Sequence, residues 1–369
     1  MVQAHDGDRG VGEGENAWTC QRHLKALLFA QLAGLNSFRE IEQGLSAQPA
    51  TLYHLGLKPP RRSTMSDACR NRPAAVFRDI GLWLCGRATR KLRQEGQALI
   101  RLLDASPIQL REPRFSWAEA EAHIRGLKLH LLYDPQAQAP VRFALSSAKR
   151  PDLGYARTLP LEAEAIYVFD KGYTDYGWWQ DIVEAKADFL TRLKTNAHRR
   201  EICQRQPRGE GILADHTLKV GHKRPGGRPN RLYHTTLREI VVDRPDKEPL
   251  HLITSDLQRP AAEIAALYKQ RWEIELVFKW LKQNLKIKKF LGSSENAVMT
   301  QLYVALIAFL LFQLFRQGLA SSAKASPKTL LARLRVALLQ AFDLSAQDRP
   351  PTNLKSISRA QQLELLLAA

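Results

Sequence analysis

The stretch LYKQRWEIELVFKWLKQNLKIKKF, residues 267 to 290, constrains the fold more than any other part of the chain. Read as one helix turning about 100° per residue, it places Leu267, Ile274, Phe278, Leu281 and Leu285 on an apolar stripe that must face a core. Tyr268, Arg271, Glu275 and Lys282 fall within an arc of roughly 60°, centred roughly 80° from the apolar stripe. These four polar residues therefore border buried ground, while Lys269, Gln270 and Glu273 take ordinary solvated positions. Taken alone, Arg271 and Glu275 also read as an i,i+4 ion pair with a chance tyrosine beside it, worth a few tenths of a kcal/mol.

Charge bears on the choice between these readings. The chain carries 55 Lys and Arg against 37 Asp and Glu, a formal +18. An excess of that size points to a polyanionic partner, and phosphate backbone is the commonest one. The basic residues recur in 58–62, 87–93, 219–231 and 279–289, so several surfaces suit a long ligand. An anionic membrane is the weaker alternative, and no membrane partner is expected. The apolar run LYVALIAFLLFQLF (302–315) is shorter than the roughly 20 residues of a spanning helix and contains Gln313, which predicts a buried core helix. No signal peptide is expected, because the opening residues lack an apolar centre. Cys20, Cys69, Cys85 and Cys203 are scattered, which predicts free thiols in a reducing, cytoplasmic setting. Cys20 and His23 resemble half of a zinc site, with no second half at a usable distance.

Along the chain, residues 1–16 are polar and glycine-rich. Helical patterning begins at Gln21, with Ser37 and Glu40 forming a capping box before FREIEQGL. RRSTMSDACRNRP is a short helix candidate capped at Ser63 or Thr64 and flanked by arginines on both sides, and residues 74–95 read as a longer connecting helix. Short helices with a basic last member suit a DNA-reading module, and equally a plain helical bundle. The texture then changes to short apolar runs ending in turn residues: 98–106, 126–134, 141–149 and 165–173, followed by a helix, a strand in DFLTRLK and a late strand in LHLITSDL. This is a mixed α/β core. Between residues 195 and 249 lies a β-rich segment whose GHKRPGGRPNR reads as a basic hairpin tip. Its Lys223, Arg224, Arg228 and Arg231 are expected to reach backbone phosphates.

Asp104 ends the apolar run LIRLLD and Asp170 ends IYVFD. Each has an innocent reading as a turn or cap residue. Convergence with Glu275 would instead gather three negative charges in one cleft, which is costly unless divalent cations fill it. Hard oxygen ligands together with a phosphodiester select Mg²⁺ or Mn²⁺. Two such ions roughly 3.5–4 Å apart activate a water or a 3′-hydroxyl and stabilise the leaving oxygen.

Tyr268, Arg271, Glu275 and Lys282 match the spacing Y-x2-R-x3-E-x6-K. With LLDAS and VFDKGY ahead of it in the right order, the chain resembles the bacterial cut-and-paste DDE transposases of the insertion sequence 4 family. The resemblance runs from about Trp18 to about Gly318 and includes the helical N-terminal region of one branch. It implies an α/β fold with a ribonuclease-H-like catalytic core, a β-rich insertion and a helical N-terminal DNA-binding region. The implied division is a disordered or truncated tail (1–20), the helical DNA-binding region (21–95), the first part of the core (96–194), the insertion (195–249), the second part of the core (250–320) and a C-terminal helical tail (321–369).

The resemblance further implies that Asp104, Asp170 and Glu275 bind two Mg²⁺ ions, for which Mn²⁺ can substitute. Tyr268, Arg271 and Lys282 would contact phosphates near the cleaved end. The implied activity is metal-dependent cleavage of transposon ends and strand transfer. The implied partners are double-stranded DNA at terminal inverted repeats and target DNA, with a homodimer in the complex. The alternatives are a ribonuclease-H-like metal nuclease and a transposition-defective DNA-binding derivative. Trp178, Trp179 and Trp272 are candidates to trap a flipped base, against a bland reading as core packing.

Overall fold

The computed structural model describes residues 18–47, 52, 56–90, 99–110, 113–118, 120–121, 124–245, 247–285, 289–318 and 326–339. The expectations for residues 1–17 and for the chain beyond 339 lie outside these. The chain forms two compact units, one of Met1–Ala88, Ile108–Glu119 and Lys279–Ala369, the other of Thr89–Pro107 and Ala120–Phe278.

The first unit is helical. Helix α1 (Cys20–Ala33) starts where Thr19 accepts the Arg22 N–H and stops at Gly34, whose φ of 79° is the left-handed conformation of a helix end. Helix α2 (Phe38–Ser46) opens as expected. Ser37 Oγ accepts the Glu40 N–H at 3.1 Å, while Glu40 Oε2 accepts the Asn36 N–H at 2.7 Å. Helix α3 (Arg62–Asn71) begins earlier than expected, with Arg61 as N-cap and no capping side chain, so neither Ser63 nor Thr64 serves as the cap. Helix α4 (Ala75–Arg90) follows.

Inside this unit His23 is fully buried, with Nε2 3.3 Å from Cys69 Sγ. Burial, aided by the Arg72 charge, pushes its pKa down to about 3, so the imidazole is neutral. No third ligand joins the pair among the described residues.

The second unit is built on a ten-stranded sheet. Its elements are β1 (Leu99–Gln109), β2 (Ala120–Glu121), β3 (Ile124–Asp134), β4 (Ala139–Ser147), the short helix α5 (Asp152–Ala156), β5 (Ala165–Phe169), α6 (Tyr176–Glu184), β6 (Asp188–Arg192), β7 (Arg199–Arg205), β8 (Ile212–Val220), β9 (Leu237–Val242) and β10 (Leu250–Thr254). The spatial order is β2, β3, β1, β5, β6, β10, β9, β8, β7, with β4 on β3. Pairing of β5 with β1 and with β6 is parallel, and β6 to β10 and onward is antiparallel. Every residue of β5 is buried, as a central strand covered on both faces requires.

The β-rich segment adds strands to the core sheet. Strand β9 pairs with β10 and is followed outward by β8 and β7, so the polar edge of β10 is satisfied by backbone bonds. Within that segment RLYH (231–234) is a 3₁₀ turn begun by the Asn230 side chain, and the strand starts only at Leu237.

Helices α7 (Ala261–Gln270) and α8 (Trp272–Asn284) follow β10, and the division between the two units falls within α8. Helix α9 (Glu295–Gly318) is buried from Ala297 to Gln313 except at Met299, and it packs on α1 and α3. By length and composition it could cross a membrane. Burial on nearly every side marks it as the core helix of its unit, as the run 302–315 predicted. Its Asn296 accepts the Ala74 N–H and donates to the Cys69 carbonyl, satisfying backbone groups at the end of α3. Helix α10 (Pro327–Leu339) is the last described element.

Trp178 and Trp179 lie in the sheet unit's core with Phe169 and Phe189, whereas Trp272 is 58% exposed. Trp179→Ala should therefore cost about 3–5 kcal/mol in chemical denaturation. Trp272→Ala should stay within roughly 0.5 kcal/mol of wild type.

Candidate active site

Strand register brings the two aspartates together. Parallel β1 and β5 align Leu103 with Phe169, so the next residues, Asp104 and Asp170, emerge side by side where β5 ends. Adjacent strands are about 5 Å apart, within reach of a shared ligand. Asp104 sits within β1, its side chain 20% exposed, and its Oδ1 accepts the Ala105 N–H at 2.8 Å.

The stretch 267–290, expected as one helix, is divided at Arg271. The Arg271 N–H bonds to the Tyr268 carbonyl and the Ile274 N–H to the Arg271 carbonyl, both spanning three residues, so the ladder tightens locally to 3₁₀. The apolar stripe survives the change: Leu267, Ile274, Phe278, Leu281 and Leu285 are all buried. At the junction Arg271 Nη2 donates to Glu275 Oε1 at 2.6 Å, and Nη1 lies 3.5 Å from Asp104 Oδ2. Tyr268 Oη donates to Asp170 Oδ1 at 3.4 Å, and the Arg271 guanidinium carbon is 5.9 Å from the Tyr268 ring centre. The i,i+4 ion pair is thus real, and it is part of a larger cluster.

Sequence reasoning missed one member. Arg192, read only as part of a strand, donates through Nε at 3.1 Å to Asp170 Oδ1 and places Nη2 2.9 Å from the same oxygen. Pairing of Val168 with Leu190 explains the contact, since Asp170 and Arg192 each lie two residues further along the same face. That signal becomes readable only once the register is known.

Electrostatics follow from this packing. Burial pushes the Asp104 carboxyl up to about 6. The Ala105 N–H and Arg271 favour ionisation, while Glu275 and Asp170 raise the pKa further. Burial likewise holds Tyr268 at about 12, a neutral donor at physiological pH.

Asp104, Asp170, Glu275, Tyr268 and Arg271 therefore meet in the sheet unit. Lys282 belongs to the helical unit, where it lines a groove of about 370 Å³ with Lys289 and Arg335. Lys223, Arg224 and Arg228 are exposed on the connection from β8 to β9. That connection turns at Gly221, whose φ is 75° and where an added Cβ would meet Asn230 and Tyr176 at 2.8 Å. Arg231 is held by Asp181 at 2.5 Å and Glu184 at 2.6 Å on α6.

The family described as Transposase DDE domain matches residues 95–311. The chain belongs to the DDE transposases. A putative transposase of Sinorhizobium fredii is 41% identical over 260 residues, covering 69% of this chain and 71% of that protein. A probable transposase for insertion sequence element IS5377 of Geobacillus stearothermophilus is 26% identical over 292 residues, covering 77% and 74%. A domain of unknown function matches residues 1–58. Among solved structures, a piggyBac transposase synaptic complex with hairpin DNA matches at TM-score 0.48 and 10% identity, over 95% of this chain and 79% of that one, too distant to bear on mechanism. The transposase is of the insertion-sequence type, similar to the insertion sequence 4 family, with a mixed α/β core. DDE transposases bind DNA and use divalent metal for cleavage and strand transfer.

The donor set of this transposase suits such a metal: three carboxylate oxygen donors, one with a pKa raised by burial and by the other two. Among the described residues no three ligands are gathered closely enough to hold one ion, and Arg271 stands between Asp104 and Glu275.

Because the folded Asp104 binds its proton more tightly than an unfolded Asp, its ionisation costs stability as pH rises from about 4 through about 6. In chelator, Asp104→Asn should gain on wild type across that window by on the order of 2–3 kcal/mol, with the gap constant above pH 7. Denaturant melts at pH 4 and 7.5 measure it, and a gap that does not open with pH contradicts the assignment.

Proposed function

We propose that this transposase cuts DNA at the ends of its insertion sequence and transfers the freed 3′ ends to target DNA, with Asp104, Asp170 and Glu275 as ligands of two Mg²⁺ ions. The observation that carries the reading is the register placing Asp104 beside Asp170, with Glu275 joined to Asp104 through Arg271. When bound, the ions would activate a water or 3′-hydroxyl and stabilise the leaving oxygen. The protein's own share is orientation. Arg271 can grip a phosphate with two donors, Tyr268 can add a neutral one, and Arg192 fixes the Asp170 carboxylate from β6. Exposed Trp272 is the candidate to stack on a base, and buried Trp178 and Trp179 are not available for that role. Terminal-repeat DNA as partner, a dimer in the complex and action in the cytoplasm complete the reading. Four free thiols are in keeping with the last of these.

Ala in place of Asp104, Asp170 or Glu275 should abolish Mg²⁺-dependent cleavage of a terminal-repeat duplex and leave DNA binding near wild type. Wild-type cutting by Asp170→Ala would overturn the assignment. Cutting without joining to target DNA would identify a nuclease.

The connection from β8 to β9 is expected to supply phosphate contacts. Neutralising Lys223, Arg224 and Arg228 should flatten the slope of log K against log salt by about 0.9 for each phosphate that no longer meets a cation. Arg231→Gln should change it less, since Asp181 and Glu184 already engage that side chain. An unaltered slope in the triple variant would mark a merely solvated loop.

A further inference from the structure

We propose that Arg271 is the resident counter-ion of the catalytic carboxylates and that DNA phosphate draws it away, so that metal loading is coupled to DNA binding. The inference rests on the carboxylate assignment above and goes beyond it. One guanidinium serves two carboxylates from different elements, Glu275 on α8 at 2.6 Å and Asp104 on β1 at 3.5 Å. Its side chain is only 14% exposed. A divalent ion bridging those carboxylates needs the same oxygens, and a second cation beside it would be repelled. Arg271 and metal therefore compete for one seat.

Three features make the seat one that Arg271 can leave. Its Nε is buried with no acceptor among the described residues, a deficit that a phosphate oxygen would relieve. A phosphate can also take two guanidinium donors in parallel, a charge-assisted pair stronger than the single short contact to Glu275. The backbone at Arg271 is the junction of α7 and α8, where the ladder is already irregular. Arg192 differs, since both donors it spends on Asp170 go to a single carboxylate from the end of a strand. It can remain in place while Arg271 departs.

Coupling of this kind is reciprocal: DNA that withdraws Arg271 tightens metal binding, and bound metal tightens DNA binding by the same factor. The charge of Arg271 thereby changes partner, from carboxylate to phosphate, only when substrate is present. The transposase without DNA then holds its triad neutralised and weakly charged with metal, which limits unprogrammed cutting.

The test is Mn²⁺ binding to the full-length protein, followed by paramagnetic resonance or calorimetry, with and without terminal-repeat duplex. In the wild type, duplex should tighten Mn²⁺ binding. Arg271→Gln should bind Mn²⁺ about tenfold more tightly without DNA, within the 5–150-fold range usual for coupled sites, and duplex should add little. Arg271→Lys, whose point charge cannot span both carboxylates, should fall between. Circular dichroism checks that each variant is folded. Equal or weaker Mn²⁺ binding by folded Arg271→Gln overturns the proposal. Asp170→Asn separates the two levels. If it abolishes Mn²⁺ binding while Arg271→Gln leaves binding unchanged, the counter-ion role alone fails. If Asp170→Asn binds like wild type, the carboxylate assignment fails first and the proposal falls with it.

Discussion

Parallel pairing of β1 with β5 is the constraint on which the site depends. The two strands are far apart in the chain, and their backbone bonds fix Leu103 against Phe169, leaving Asp104 and Asp170 with no choice but to emerge together. A shift of one residue would turn either carboxylate to the opposite face. What holds the register is the burial of β5 on both sides, with Phe169 among Tyr173, Trp178, Trp179 and Phe189. The aromatic cluster behind the strand is thus an indirect determinant of carboxylate geometry.

Bringing acids together sets up a conflict that the fold resolves with arginine. Asp104 is largely buried and faces two other acids, and its raised pKa reflects the cost. Arg271 offsets that cost at Asp104 from a helix junction, and Arg192 pairs with Asp170 from a strand. Arg271 suits an enzyme whose substrate is a polyanion, because the same cation can serve the carboxylates in the protein alone and the phosphate when it arrives.

The helical unit solves a different problem, with a helix too apolar to face water. Helix α9 is covered by α1 and α3, with Asn296 closing the end of α3 through its side-chain amide. The basic connection between β8 and β9 is likewise a matter of local chemistry. Glycine permits its turn, and exposure of Lys223, Arg224 and Arg228 follows from the absence of anything apolar in that stretch.

Features that depend on near neighbours in the chain were legible before any fold was known. The capping box at Ser37 and Glu40, the apolar stripe through Ile274 and Phe278, the buried run 302–315 and the strands that deliver Asp104 and Asp170 all belong to this group, because helical and extended periodicities repeat every few residues. The tightening at Arg271, the capture of Arg231 by α6, the continuation of the core sheet through β9, β8 and β7, and the grip of Arg192 on Asp170 emerged only on folding. Each depends on a partner tens of residues away or on the seating of a side chain among charges. Spacing along the chain carries no record of which strand edge or carboxylate will lie opposite, and only the register of the folded sheet supplies it.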